Sequence, residues 1–300
     1  MKRTHISLSA IAPILFLLMW SSGAVMVKVG LQYSSEWSFL AARSMLSFVC
    51  LLLILSVMAT RGKLAFTRLS LSEFKSIAIV GLMLQVFYVT FYILAIGSGM
   101  SPALVTLVLG LQPMLTPLMG KQPLDTIKTS LLVLGFIGLC IAILGAKSIE
   151  SVSGIGIVFA VLTLISMTYG TIKQAHIHTN PAQAMLYQSM FSMPIFIAIA
   201  LSTGWQITWS TGFIVSLLWM SIVVSVGALF LLLYMIKSEN ADSVSVLFYA
   251  VPLLAYLFNF ILFGETLSLF TLCGMGIVAI SIVLYRKRNA RQVEVSESRA

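Results

Sequence analysis

Residues 74–96, FKSIAIVGLMLQVFYVTFYILAI, run for 23 residues with a single charge, Lys75. A helix needs about 20 mostly apolar residues to cross a bilayer core, so this stretch reads as one membrane span. It must be helical, because lipid offers no partner to an unpaired backbone amide. The same pattern continues on both sides, with charges gathered in short segments between apolar runs. Hydrophobic residues make up 59% of the 300-residue chain and charged residues 9%, with a mean hydropathy of +1.04. A water-facing domain carries roughly 25% charged residues. Lipid is therefore the solvent.

Ten spans are expected: 8–31, 37–59, 74–96, 101–120, 127–147, 154–174, 182–202, 212–236, 243–263 and 267–285. The fold class is an all-α integral membrane protein. The first apolar run follows Lys2 and Arg3 and continues to about Leu31 without a small-residue cleavage site, so it reads as a retained helix. The loops are short, which lets Lys and Arg report orientation. Fifteen of the 18 fall on one side of the ten-span layout; Lys28 and Lys147 fall on the other, and Arg43 lies inside span 2. Both termini are expected in the cytoplasm, in a multi-pass protein of the cell (inner or plasma) membrane. The tail from Arg286 reads as a short disordered anchor.

A net charge of +9 raises nucleic acid as a partner, but the basic residues are spread over many loops rather than one face. Topology explains them. Cys50, Cys140 and Cys273 fall in apolar runs at unrelated spacings and imply neither a disulfide framework nor a metal site. No phosphate-binding GxxxxGK[ST] loop occurs, so ATP is not the expected energy source. No cofactor is expected. His5, His176 and His178 lie in a terminus or loop, and the nine acids lie at or near span ends or in the tail, which disfavours proton coupling through a buried carboxylate.

The two halves of the chain resemble each other. Residues 43–47 read RSMLS and 188–192 read QSMFS, an offset of 145 that also pairs Lys28 with Lys173 and Ser21 with Ser166. An offset of 139 pairs Pro113 with Pro252 and Gly135 with Gly274. Five spans per copy is an odd number, so the second copy must enter from the opposite face. The expectation is two inverted five-helix repeats, 1–150 and 151–286, followed by a cytoplasmic tail at 287–300. Such repeats are recurrent in secondary transporters, with the solute site near the midplane between halves.

WSSGAVMVKVGL at 20–31 and LAARSMLSF at 40–48 resemble the first two helices of EamA-type transporters of the drug/metabolite transporter superfamily. VSVLFYAVPLLAYLFNFILFGETLS at 244–268 is similar to that family's ninth helix, with its Pro and following Gly-Glu. The resemblance implies ten helices, cytoplasmic termini and a central cavity lined mainly by helices 1, 3, 4, 6, 8 and 9. One departure is visible: where the second half has Gly264-Glu265, the first has Asp125-Thr126.

Candidate solute-binding residues follow from polarity inside the spans. Arg43 carries a charge that costs about 2.5–3.5 kcal/mol to insert and is a functional candidate for that reason. Glu36 lies seven residues earlier on the same face, so a structural pairing is the competing role. Gln85, Tyr88 and Tyr92 share a stripe in span 3; Tyr249, Tyr256 and Asn259 do so in span 9, beside Pro252. Polar stripes in lipid face protein or a cavity. Trp20 and Ser22 in span 1 and Tyr169 in span 6 are further candidates, and Pro113 and Pro252 are expected kinks or hinges. The expected function is secondary transport of a small organic solute (a metabolite, amino acid or drug-like compound), as an exporter working by alternating access. A membrane enzyme acting on lipid, or a structural or sensory membrane protein, are the alternatives. Solute and bilayer are the expected partners; monomer and homodimer both fit.

Overall fold

The computed structural model describes residues 8–62, 66–98, 102–121, 124–145, 154–239, 241–263 and 268–297. Every regular element among them is helical; one isolated bridge joins Ser34 to Ile207. Among the described residues eight segments are long and apolar enough to cross a membrane, and two shorter apolar helices, Leu107–Met119 and Ser243–Ala255, occupy the expected fourth and ninth spans. The protein is thus an all-α, multi-pass membrane protein.

The helices form two compact units. The first comprises residues 1–87 and 173–238. It holds α1 (Leu8–Gly30), α2 (Glu36–Thr60), α3 (Leu71–Gly81) with a π-helical segment Leu82–Phe87, α9 (Pro181–Thr203), and α10 (Thr211–Leu218), which passes through a second π-helical segment, Trp219–Ala228, into α11 (Leu229–Ser238). Side-chain caps start these helices: Ser35 for α2, Asn180 ahead of Pro181 for α9, and Ser70 with Glu73 as a capping box for α3. Helix α2 packs on α9 and the second π segment, α9 packs on α3 and the first π segment, and α1 packs along α10, the second π segment and α11. Gly81 permits one close approach, since a β-carbon there would stand 2.9 Å from Gln188 Cα.

The second unit comprises residues 88–172 and 239–300. It contains α4 (Tyr88–Gly97), α5 (Pro102–Leu109), α6 (Gln112–Met119), α7 (Thr126–Gly145), most of α8 (Gly154–Ala175), α12 (Ala241–Ser245), a 3-10 turn Val246–Tyr249, α13 (Ala250–Phe263) and α14 (Leu269–Glu297). Helices α7 and α14 form its most extensive contact, at small residues: a β-carbon on Gly138 would lie 2.8 Å from Ile277 Cγ2 and 3.1 Å from the Gly274 carbonyl.

Spans 4 and 9 are short because each is interrupted just before a proline. Pro113 cannot donate to the carbonyl four residues back and its ring crowds that carbonyl; the helix breaks at Gly110–Leu111. Pro252 sits in the first turn of α13, directly after the 3-10 turn. Shifting 110–111 by 139 gives 249–250, the junction of the 3-10 turn with α13. Shifting the first π segment by the same offset gives 221–226, inside the second. Each irregularity thus has a counterpart in the other half of the sequence.

The tail departs from expectation. Instead of a disordered anchor, α14 continues as helix to Glu297. Arg286 pairs with Glu239 at 2.9 Å, Arg288 pairs with Asp125 at 2.6 Å, and Asn289 donates to Ser243 Oγ and accepts from Lys128 Nζ at 2.6 Å. These contacts hold the helix past the apolar run.

Candidate functional site

Within the first unit, polar side chains of α2 and α9 meet the two π segments. Arg43 is half-buried seven residues into α2, and its Nε donates to Ser225 Oγ of the second π segment at 2.9 Å. Glu36 stands exposed in the first turn of α2, where a carboxylate complements the helix dipole. One turn beyond Arg43, Ser47 Oγ donates to the Arg43 carbonyl at 2.6 Å and contacts the Ser221 carbonyl at 3.3 Å.

Gln85 lies in the first π segment. Its Nε2 donates to Gln188 Oε1 at 3.4 Å, and its Oε1 accepts from Ser192 at 3.1 Å and Ser189 at 3.4 Å. Gln188 Nε2 donates onward to Gln174 Oε1 at 2.7 Å. The result is a chain of three amides running through the unit, with Gln188 fully buried. Ser22 accepts from the Trp219 indole at 3.0 Å and donates to the Met19 carbonyl; the Trp20 ring lies 5.3 Å from that of Phe16.

Tyr88 and Tyr92 fall in the second unit, with ring centroids 6.4 Å apart. The π segment that carries Gln85 ends at Phe87, directly before Tyr88 opens α4. Tyr92 packs beside Ala95, Val105 and Ala160. Tyr169 is half-buried in α8. Tyr249 is fully buried and donates to the Leu132 carbonyl at 2.9 Å, which makes its hydroxyl a helix-to-helix bond. Gln112, beside Pro113 at the broken helix, is buried and lies 3.4 Å from Thr171 Oγ1. The side chains of Tyr256 and Asn259, together with Gly264 and Glu265, lie outside the described residues. Among the described residues no group of three His, Cys, Asp or Glu could hold a metal ion.

Two comparisons bear on this arrangement. Residues 153–286 match the EamA-like transporter family. A Bacillus subtilis protein described as the uncharacterized transporter YvbV is 25% identical over 305 residues, covering 97% of this chain and 96% of the relative. The second half of the chain thus belongs to the EamA-like transporter family. A solved protein crystal structure shares the fold at a TM-score of 0.78 and 15% identity, covering 95% of this chain and 98% of the other.

The chain carries several buried polar residues that sequence reasoning passed over: Gln112, Gln174, Gln183 and Gln188. Gln188 had a signal. It occupies the place of Arg43 in the repeated pentapeptide, and the attention given to one position was due to the other.

Proposed function

We propose that this transporter is a secondary carrier with ten spans in two inverted repeats, 1–150 and 151–286, that exports a small organic solute by alternating access. Both termini lie in the cytoplasm and the protein resides in the cell membrane. The observation that carries this reading is the pairing of irregular helices. The π segments of spans 3 and 8 and the breaks of spans 4 and 9 fall at one sequence offset. Interrupted helices at corresponding places in two halves mark the solute and coupling sites of repeat-built carriers. The Lys and Arg distribution supports the orientation, and the missing phosphate-binding loop supports a gradient as the energy source. Metabolites, amino acids and drug-like compounds are the solute classes that the aromatic and amide side chains suit.

A panel of solutes and toxic analogues applied to cells overexpressing the chain tests the reading. Wild type should lower accumulation of at least one compound, and Tyr88→Ala and Tyr256→Ala should each weaken that effect. Equal accumulation with and without the chain across the panel would count against export.

A further inference from the structure

Residues 66–75, which lead into and open α3, lie in the first unit and are tied to α9 at several points. Gln183 of α9 is fully buried, and both ends of its amide hold Thr67. Its Nε2 donates to the Thr67 carbonyl at 2.8 Å, while its Oε1 accepts from the Thr67 amide at 3.2 Å and from the Thr67 hydroxyl at 3.1 Å. Three residues on, Ser70 and Glu73 close the capping box of α3. Phe74 then sets its ring against those of Tyr187 and Phe191, with centroids 5.9 and 5.3 Å away. The backbone of the segment is thereby fixed against the bundle.

What this fixed segment turns outward is a mixture of apolar bulk and positive charge. Phe66 is 44% exposed and Leu71 70% exposed. Arg68 and Lys75 are exposed too, and neither side chain has a hydrogen bond or ion pair with another described residue. The helix that begins at Leu71 runs 27 residues to Gly97, longer than the about 20 that cross a bilayer core, so its first turn reaches the headgroup level. Leu71, Lys75 and Ile79 follow one another at intervals of four, on one stripe of that helix. Ile79 is exposed inside the span, where lipid is the solvent, so the stripe faces lipid and Lys75 carries its ammonium to the phosphate level along its apolar stem. Apolar side chains sink into the acyl boundary, and basic ones gain from a negatively charged membrane surface. We infer that residues 66–75 form a lipid-contact surface selective for anionic phospholipid, with Phe66 and Leu71 in the acyl boundary and Arg68 and Lys75 on the headgroup phosphates. This surface is separate from the solute path and does not depend on which solute is carried.

The test uses full-length protein lacking Cys50, Cys140 and Cys273, with Phe66→Cys or Leu71→Cys carrying a nitrobenzoxadiazole fluorophore. Each labelled protein is purified by size exclusion, so that only folded material is read, and placed in nanodiscs of phosphatidylcholine alone or mixed equally with phosphatidylglycerol. A spin-labelled phosphatidylcholine quenches from the lipid and acrylamide, which is uncharged, quenches from water. The readout is the ratio of lipid to aqueous quenching, which is insensitive to the amount of protein. That ratio should rise severalfold in the anionic discs at both positions. Arg68→Gln combined with Lys75→Gln should abolish the rise, since each basic residue at an anionic surface is worth roughly fivefold in binding. A ratio equal in the two lipids, or a rise that survives the double substitution, overturns the assignment. Free access of acrylamide in both lipids also overturns it and leaves the face to a soluble partner. None of these results bears on transport.

Discussion

Gln188 has no exposed surface, and both ends of its amide are engaged, Nε2 with Gln174 and Oε1 with Gln85. Replacing it with leucine keeps the bulk but strands the Gln174 oxygen and the Gln85 amide nitrogen inside a lipid-embedded bundle. An orphaned buried polar group costs about 1–3 kcal/mol. Gln188→Leu should therefore lower the melting temperature in detergent clearly, and more than Tyr249→Phe does. The latter loses one hydroxyl bond to a helical carbonyl, worth about 0.6 kcal/mol on average in a membrane bundle. The reverse order would mean that the amide chain does not hold the unit together. Arg43 was legible as a candidate because a charge in an apolar run stands out. Gln112 was not, since a lone amide in such a run is read as polar without indicating whether it meets a partner, and Gln188 was marked only by its place in the repeated pentapeptide.

Single elements show where local sequence stops being informative. The prolines announced the interrupted spans, because the missing donor at Pro113 and Pro252 acts on the helix that contains it. Nothing in LMLQVF or WMSIVVSVGA announces a π segment; these segments lie where α2 and α9 hydrogen-bond to them, contacts made across long sequence separations. The helical tail was missed for the same reason, its ion pairs reaching back to Glu239 and Asp125. If the paired breaks act as hinges, Pro113→Ala and Pro252→Ala should each slow flux severalfold while leaving the melting temperature near wild type. A defect in only one would contradict a paired role. The α7–α14 contact gives a sharper prediction. A β-carbon on Gly274 would meet the backbone nitrogen of Ala142 at 2.6 Å, whereas Gly276 has nothing within 4 Å. Gly274→Val should abolish folded yield in fluorescence-detected size exclusion, and Gly276→Ala should not reduce it.

For the whole molecule, composition and charge distribution established an all-helical membrane protein directly, because 9% charged residues cannot cover a water-facing surface. The orientation is checked in a background lacking Cys50, Cys140 and Cys273. A cysteine at Gln206 should react with a membrane-impermeant maleimide in intact cells, and one at Thr60 should react only after permeabilisation. The opposite pattern would invert the topology. Transport itself is tested most directly by flux of the solute panel into liposomes containing the purified protein, without ATP. Saturable entry of at least one solute is expected, faster than into protein-free vesicles. Folded protein that accelerates none of them would contradict transport.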